Sequence, residues 1–128
     1  MKKLITRSCE EIMTTVYKPI EFVIDGLIAQ GLYILAGAPK VGKSWLVLDM
    51  CLSIAKGEKI LGLKTSQGTA LYLCLEDSYA RIQNRLYELT DEPTEMLYFS
   101  VMSDPIGGGL EEQIEGFMSE HRDLKIVF

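Results

Sequence analysis

Gly37-Ala38-Pro39-Lys40-Val41-Gly42-Lys43-Ser44 is the stretch on which the reading of this chain turns. It fits G-x-x-x-x-G-K-[ST], the phosphate-loop pattern called Walker A. Gly37 and Gly42 let the backbone turn sharply and approach phosphate oxygens that a Cβ would obstruct. The loop N–H groups and the positive end of the following helix then cradle the anion. Lys43 can reach the terminal phosphates as a point charge, and the Ser44 hydroxyl can ligate Mg²⁺. At ordinary residue usage a chance match in so short a chain has odds on the order of half a percent. The flanks agree with the motif. Leu32-Tyr33-Ile34-Leu35-Ala36 is a short apolar run that predicts a buried strand. From Trp45 to Ala55 apolar residues recur at helical spacing, and Gly57 stands where a glycine would end the helix. The alternative is a Gly-rich turn between strand and helix with a chance lysine. The expected cofactors are ATP and Mg²⁺, held by Gly37 to Ser44 with Trp45 beside them, and Ser44 is the metal ligand.

Composition narrows the class. At 128 residues and 48% apolar content the chain predicts one domain with an ordinary packed core. A net charge of −5 argues against a broadly basic nucleic-acid surface, though not against a local patch. Cys9, Cys51 and Cys74 lack metal-ligand spacing, and two lie in apolar runs, so reduced thiols in a cytoplasmic protein are expected rather than a disulfide framework. His121 is the sole histidine and sits near the end of a predicted helix, where positive charge is favourable. No apolar run is long enough for a membrane span, and no signal-peptide core follows the basic Met1-Lys2-Lys3.

Ser8-Cys9-Glu10-Glu11 reads as a capping box opening a short helix to about Val16, before Lys18-Pro19 stops it. Ile20 to Ile24 predicts a short strand leading into the Asp25-Gly26 turn. Thr69 to Leu75, almost wholly apolar, predicts a strand covered on both faces. Asp77 or Ser78 can cap the helix that follows, with Asp77 the expected cap; Tyr79, Ile82, Leu86 and Leu89 mark its periodicity. Met96 to Met102 predicts another strand, Leu110, Ile114, Phe117 and Met118 one face of another helix, and Leu124 to Phe128 a further strand. Alternating strands and helices predict an α/β fold with a mostly parallel sheet flanked by helices and right-handed crossovers. Residues 1–19 form a short N-terminal segment and 20–128 the core.

Taken together, these segments resemble the RecA-like branch of P-loop ATPases, and within it the RepA-like hexameric helicases. The carrying residues are Asp25-Gly26-Leu27-Ile28 through Gly31-Leu32, then GAPKVGKSWL from Gly37 to Leu46. A further match is Ala70-Leu71-Tyr72-Leu73-Cys74-Leu75-Glu76-Asp77, followed by Arg81 and Arg85. The resemblance implies that an acid at the tip of the second core strand polarises the attacking water, and Glu76 occupies that position. A strand C-terminus faces the ligand crevice of an open α/β sheet, which suits the role. The alternative is that Glu76 is a first-turn acid favouring the next helix dipole. The residues themselves read Arg81 and Arg85 as a solvated face or a subunit contact, Lys40 as solvated, and Trp45 as packing its helix onto the sheet.

The family's Walker B strand ends in an Asp that holds Mg²⁺. Lys125-Ile126-Val127-Phe128 looks like that strand stopping short of the acid, so a RecA-like fold truncated at its C-terminal side is expected. The resemblance implies ATP binding and hydrolysis coupled to DNA handling in replication, with Lys43 and Glu76 catalytic, DNA as a partner of the intact protein, and a homo-oligomer. The alternative is a nucleotide-binding regulatory or assembly module that hydrolyses little.

Overall fold

A computed structural model describes residues 3–38 and 40–128. Met1, Lys2 and the loop residue Pro39 lie outside the described residues. The core is built on strand β3 (Thr69–Leu73), whose first three residues are buried. It pairs in parallel with β4 (Leu97–Ser100) on one side and β5 (Leu124–Val127) on the other, giving the order β4-β3-β5. Leu71 therefore stands between Tyr98 and Val127. Parallel neighbours need a crossover, since a tight turn cannot return the chain to the same end. Helix α3 (Tyr79–Leu89) supplies the first crossover and α4 (Leu110–Glu120) the second. The predicted parallel α/β arrangement is the one observed.

Helix α2 (Lys43–Lys56) covers the sheet. Val47 and Cys51 pack with Ala70 of β3 and touch Ile126 and Phe128, while Met50 and Ile54, one turn on, pack with Ile24 and Ile60. One apolar stripe thus serves two clusters, as helical spacing permits. The helix ends at Gly57, which has φ 70° and donates its N–H to Ile54 O at 3.3 Å. Ile24 enters from a hairpin of β1 (Phe22–Ile24) and β2 (Ile28–Ala29), turned at Asp25-Gly26. Ser66 N–H to Val23 O, 2.8 Å, ties that hairpin to the segment entering β3.

Gly68 precedes β3 at a close approach. A Cβ there would stand 2.5 Å from the Asp123 carbonyl oxygen and collide with the Lys125 side chain. The same approach lets Thr69 N–H reach Asp123 O at 3.0 Å and its hydroxyl reach the Asp123 carboxylate at 2.8 Å. At the far end of α4, His121 meets the sequence expectation: its Nδ1 lies 3.0 Å from Phe117 O, and its ring stacks on Phe117.

Two expectations are corrected. Leu32-Tyr33-Ile34-Leu35-Ala36 does not form a strand; Leu32 and Ile34 are 95% and 89% exposed. A strand needs a lateral backbone partner as well as apolar side chains. Here a groove of about 330 Å³ separates residues 28–33 from the outer side of β5, and no described strand lies in it. Predicted strands 69–75 and 96–102 are also shorter, ending at Leu73 and Ser100, where the paired register stops. Helix α1 (Cys9–Thr14) forms as expected, with Glu11 N–H bonded to the Ser8 hydroxyl at 3.1 Å, yet it buries no residue. It belongs to the predicted short N-terminal segment.

Ile54 is fully buried, and Ile54→Ala removes most of a side chain at the join of hairpin and helix. A loss of about 2–5 kcal/mol is expected in urea unfolding, the range for such cavities. The thiols give a second check. Cys9 is exposed while Cys51 and Cys74 are buried. Burial, then the Asp77 carboxylate, pushes the Cys74 thiol from 9.0 to about 11, and burial raises Cys51 as well. Iodoacetamide at neutral pH should therefore modify Cys9 in the native chain and the other two only after unfolding. Because the folded chain keeps a proton that the unfolded chain releases, the Cys74 contribution to stability is intact below pH 9.0 and lost as pH rises toward 11.

Candidate nucleotide-binding site

Gly42 opens the site. It sits at the N-terminus of α2 with φ 94°, a left-handed conformation that a side chain would strain, and no side chain caps the helix. The first intrahelical bond runs from Leu46 N–H to Gly42 O at 3.0 Å, so the N–H groups of Lys43, Ser44 and Trp45 lie ahead of the ladder. Uncapped N–H groups at a helix start attract an anion. Lys40 also has a positive φ, 63°, and is exposed. Lys43 folds back so that its ammonium donates to the Gly37 carbonyl. A phosphate bound there would offer that cation a charged acceptor, a stronger partner than a neutral carbonyl.

Two clefts meet at this helix start. One, of about 420 Å³, is lined by Lys40, Gly42, Lys43, Ser44, Trp45 and Arg85. The other, of about 470 Å³, runs over the tip of β3 and includes Ser44, Tyr72, Cys74, Glu76, Asp77 and Arg85. The structure thus brings Glu76 and Ser44 to one crevice at the carboxyl end of the sheet. Glu76 is exposed there and is not part of α3, whose first residue is Tyr79. A cleft of about 420 Å³ elsewhere, lined by Leu52, Leu86, Tyr87, Leu97 and Phe99 among others, carries no cation and no helix start.

Asp77 is not the cap of α3. Ser78 takes that role, its hydroxyl accepting from Arg81 N–H at 3.3 Å. Asp77 instead accepts from Arg85 Nη1 at 3.0 Å and lies 3.5 Å from Arg81 Nε. Arg85 is therefore no solvated residue: its side chain is 22% exposed, against 63% for Arg81. Trp45 is 39% exposed and lies under the Arg85 guanidinium, 5.6 Å from ring centroid to Cζ. The four-residue spacing signalled the Asp77–Arg81 pair, but not the closer Asp77–Arg85 pair, whose partners are eight residues apart. Tyr72 had no such signal. Burial, then the Cys74 thiol, raises its phenol above the ordinary value, while the neighbouring Ser44 hydroxyl pulls it down, and both residues line the same crevice.

Mg²⁺ bound with a nucleotide takes few protein ligands and several phosphate or water oxygens. The Ser44 hydroxyl beside an anion cradle fits that pattern. Among the described residues no three His, Cys, Asp or Glu side chains group to hold a metal on their own. Nor is any described helix long and apolar enough to cross a membrane.

Comparison with known proteins agrees with this geometry. The sequence model of the AAA domain family matches residues 9–105. The mouse (Mus musculus) protein named DNA repair protein XRCC3 is 32% identical over 85 residues, 60% of this chain and 23% of the relative. The chain thus spans about a quarter of the length of that relative. No solved structure matches. An uncapped helix start behind a glycine loop, an acid at the tip of the adjoining strand and a family match across most of the chain agree, and the chain belongs to the AAA domain family of P-loop, RecA-like ATPases.

Proposed function

We propose that this chain binds ATP at Gly37 to Ser44 and contributes to its hydrolysis as part of a RepA-like ATPase that handles DNA during replication. The observation that carries the nucleotide part is the meeting of Ser44 and Glu76 in one crevice beneath the uncapped start of α2. Loop and helix N–H groups hold the phosphates, and Lys43 leaves the Gly37 carbonyl for the terminal phosphate oxygens. Mg²⁺, when bound with the nucleotide, neutralises charge developing on those oxygens, with Ser44 as its protein ligand. Glu76 orients a water for in-line attack and can accept its proton.

DNA as a partner rests on the RepA-like resemblance and on the likeness to the mouse relative, which is named a DNA repair protein. A cytoplasmic location follows the same reading. We read 20–128 as part of a single ATPase domain that works as a homo-oligomer. Unpaired sheet edges and exposed apolar segments favour self-association, and β5 has no described partner on its outer side while Leu32 and Ile34 are exposed. A second reading, a nucleotide-binding module with little turnover, draws support from one feature. Asp77 is committed to the arginines, which leaves Glu76 as the uncommitted carboxylate of the crevice.

Lys43→Ala should weaken ATP binding by ~10- to 150-fold, because a charge-assisted bond to phosphate contributes roughly 1.5–3 kcal/mol. Glu76→Gln should keep ATP binding but lower turnover by about 100-fold or more wherever the unaltered protein shows turnover. Calorimetry together with an ATPase assay, with and without single-stranded DNA, reads both. Unchanged affinity in Lys43→Ala would remove the phosphate-loop assignment, and tight binding without turnover in the unaltered chain would favour the module. Light scattering at ~100 µM should show a dimer or larger species driven by the open edge; a stable monomer would count against the homo-oligomer.

A further inference from the structure

Arg85 lies where the two clefts join. With Ser44 it lines both the phosphate-loop cleft and the crevice of Glu76 and Asp77. A partly buried guanidinium needs compensation for lost water. Asp77 provides it through Nη1 at 3.0 Å, and the face of Trp45 adds a cation–π contact at 5.6 Å. Asp77 takes only one of the several N–H donors that a guanidinium carries. Among the described residues the others have no protein acceptor. The pair thus stands against Trp45 in the first turn of α2.

We propose that Arg85 senses the terminal phosphate of a bound nucleoside triphosphate, with Asp77 as its resting partner and Trp45 as the surface along which it moves. The inference rests on the nucleotide-binding reading above and adds a discrimination to it. A phosphate chain anchored on the α2 start extends toward Glu76 along the path that Ser44 and Arg85 share. A triphosphate reaches Arg85 and competes with Asp77 for its planar donor edge, which suits phosphate bidentately. A diphosphate is one phosphoryl group shorter and leaves the Asp77 pair in place. Movement of Arg85 then releases Asp77 beside Glu76 and uncovers Trp45, so the state of the phosphate chain is passed to the turn that carries the water-orienting acid.

Trp45 is the single tryptophan of the chain, so its emission reports this contact without a label. In the unaltered protein, a non-hydrolysable ATP analogue with Mg²⁺ should change Trp45 emission, and ADP should change it much less. Calorimetry on Arg85→Ala should show affinity for the analogue reduced about tenfold or more, with ADP affinity altered by less than about threefold. Arg85→Lys, which keeps the charge but loses the planar fork, should recover part of the difference. Asp77→Asn should leave the preference for the triphosphate intact or enlarge it, because it frees Arg85. If Arg85→Ala and Arg85→Lys weaken both nucleotides equally while circular dichroism shows the native helix content, the pair is structural and the inference is overturned. The same holds if Asp77→Asn abolishes the preference. If the unaltered chain binds neither nucleotide, the nucleotide-binding reading itself falls; binding of both with no Arg85-dependent difference overturns the sensor alone.

Discussion

Helix α2 lies across both apolar clusters, and the rest of the molecule depends on that packing. Val47 and Cys51 set it against β3, while Met50 and Ile54 set it against the hairpin and Ile60. Apolar burial is non-directional, but a helical stripe converts it into a fixed axis by interdigitation with the sheet. Fixing that axis fixes the helix start. Gly42 and the uncapped N–H groups are therefore presented at one place above the carboxyl end of the sheet, rather than on a loop free to wander. An anion site built from backbone dipoles works only if those dipoles are already oriented.

The opposite wall of the crevice is held by charge as well as by burial of Ile82 of α3. Asp77, Arg81 and Arg85 tie the turn after β3 to the first turns of α3. That turn also carries Glu76, and Cys74 and Tyr72 stand below it on or beside β3. The Asp77 side chain is 15% exposed and that of Arg85 22%, so screening by solvent is weaker here than for a surface pair. Such a pair is costly to break on one side only, since the remaining charge loses its partner. An acceptor that took Arg85 would leave Asp77 with Arg81, 3.5 Å away, as its remaining cation. The α2 wall is thus set by the packing of the core, and the α3 wall by local charge together with the buried Ile82.

Strand positions outran their pairing. The segments at 69–75 and 96–102 were legible as apolar runs, yet each closes early where its neighbour stops. The run at 32–36 was legible in the same way and forms no strand at all. Periodicity records which side chains avoid water; it carries no information on whether another backbone lies within hydrogen-bonding distance. Asp77 failed for a related reason. A carboxylate just before a helix caps it unless a cation offers more, and Ser78 was available to take the cap.

Local chemistry was written in the sequence itself. The glycine loop, the serine cap of α1 and the glycine at the end of α2 each depend on neighbours a few residues away, so their types and spacing were sufficient. The alternation of strands and helices determined the parallel α/β fold by the same token, because a crossover leaves few other arrangements. Contacts between elements were decided only by the tertiary structure. The place of Ser44 and Tyr72 on one crevice, the place of Arg85 over Trp45 and the unpaired state of 32–36 all depend on how far one element lies from another. Those distances follow from packing volumes and strand registers summed over the whole core, which no local spacing encodes.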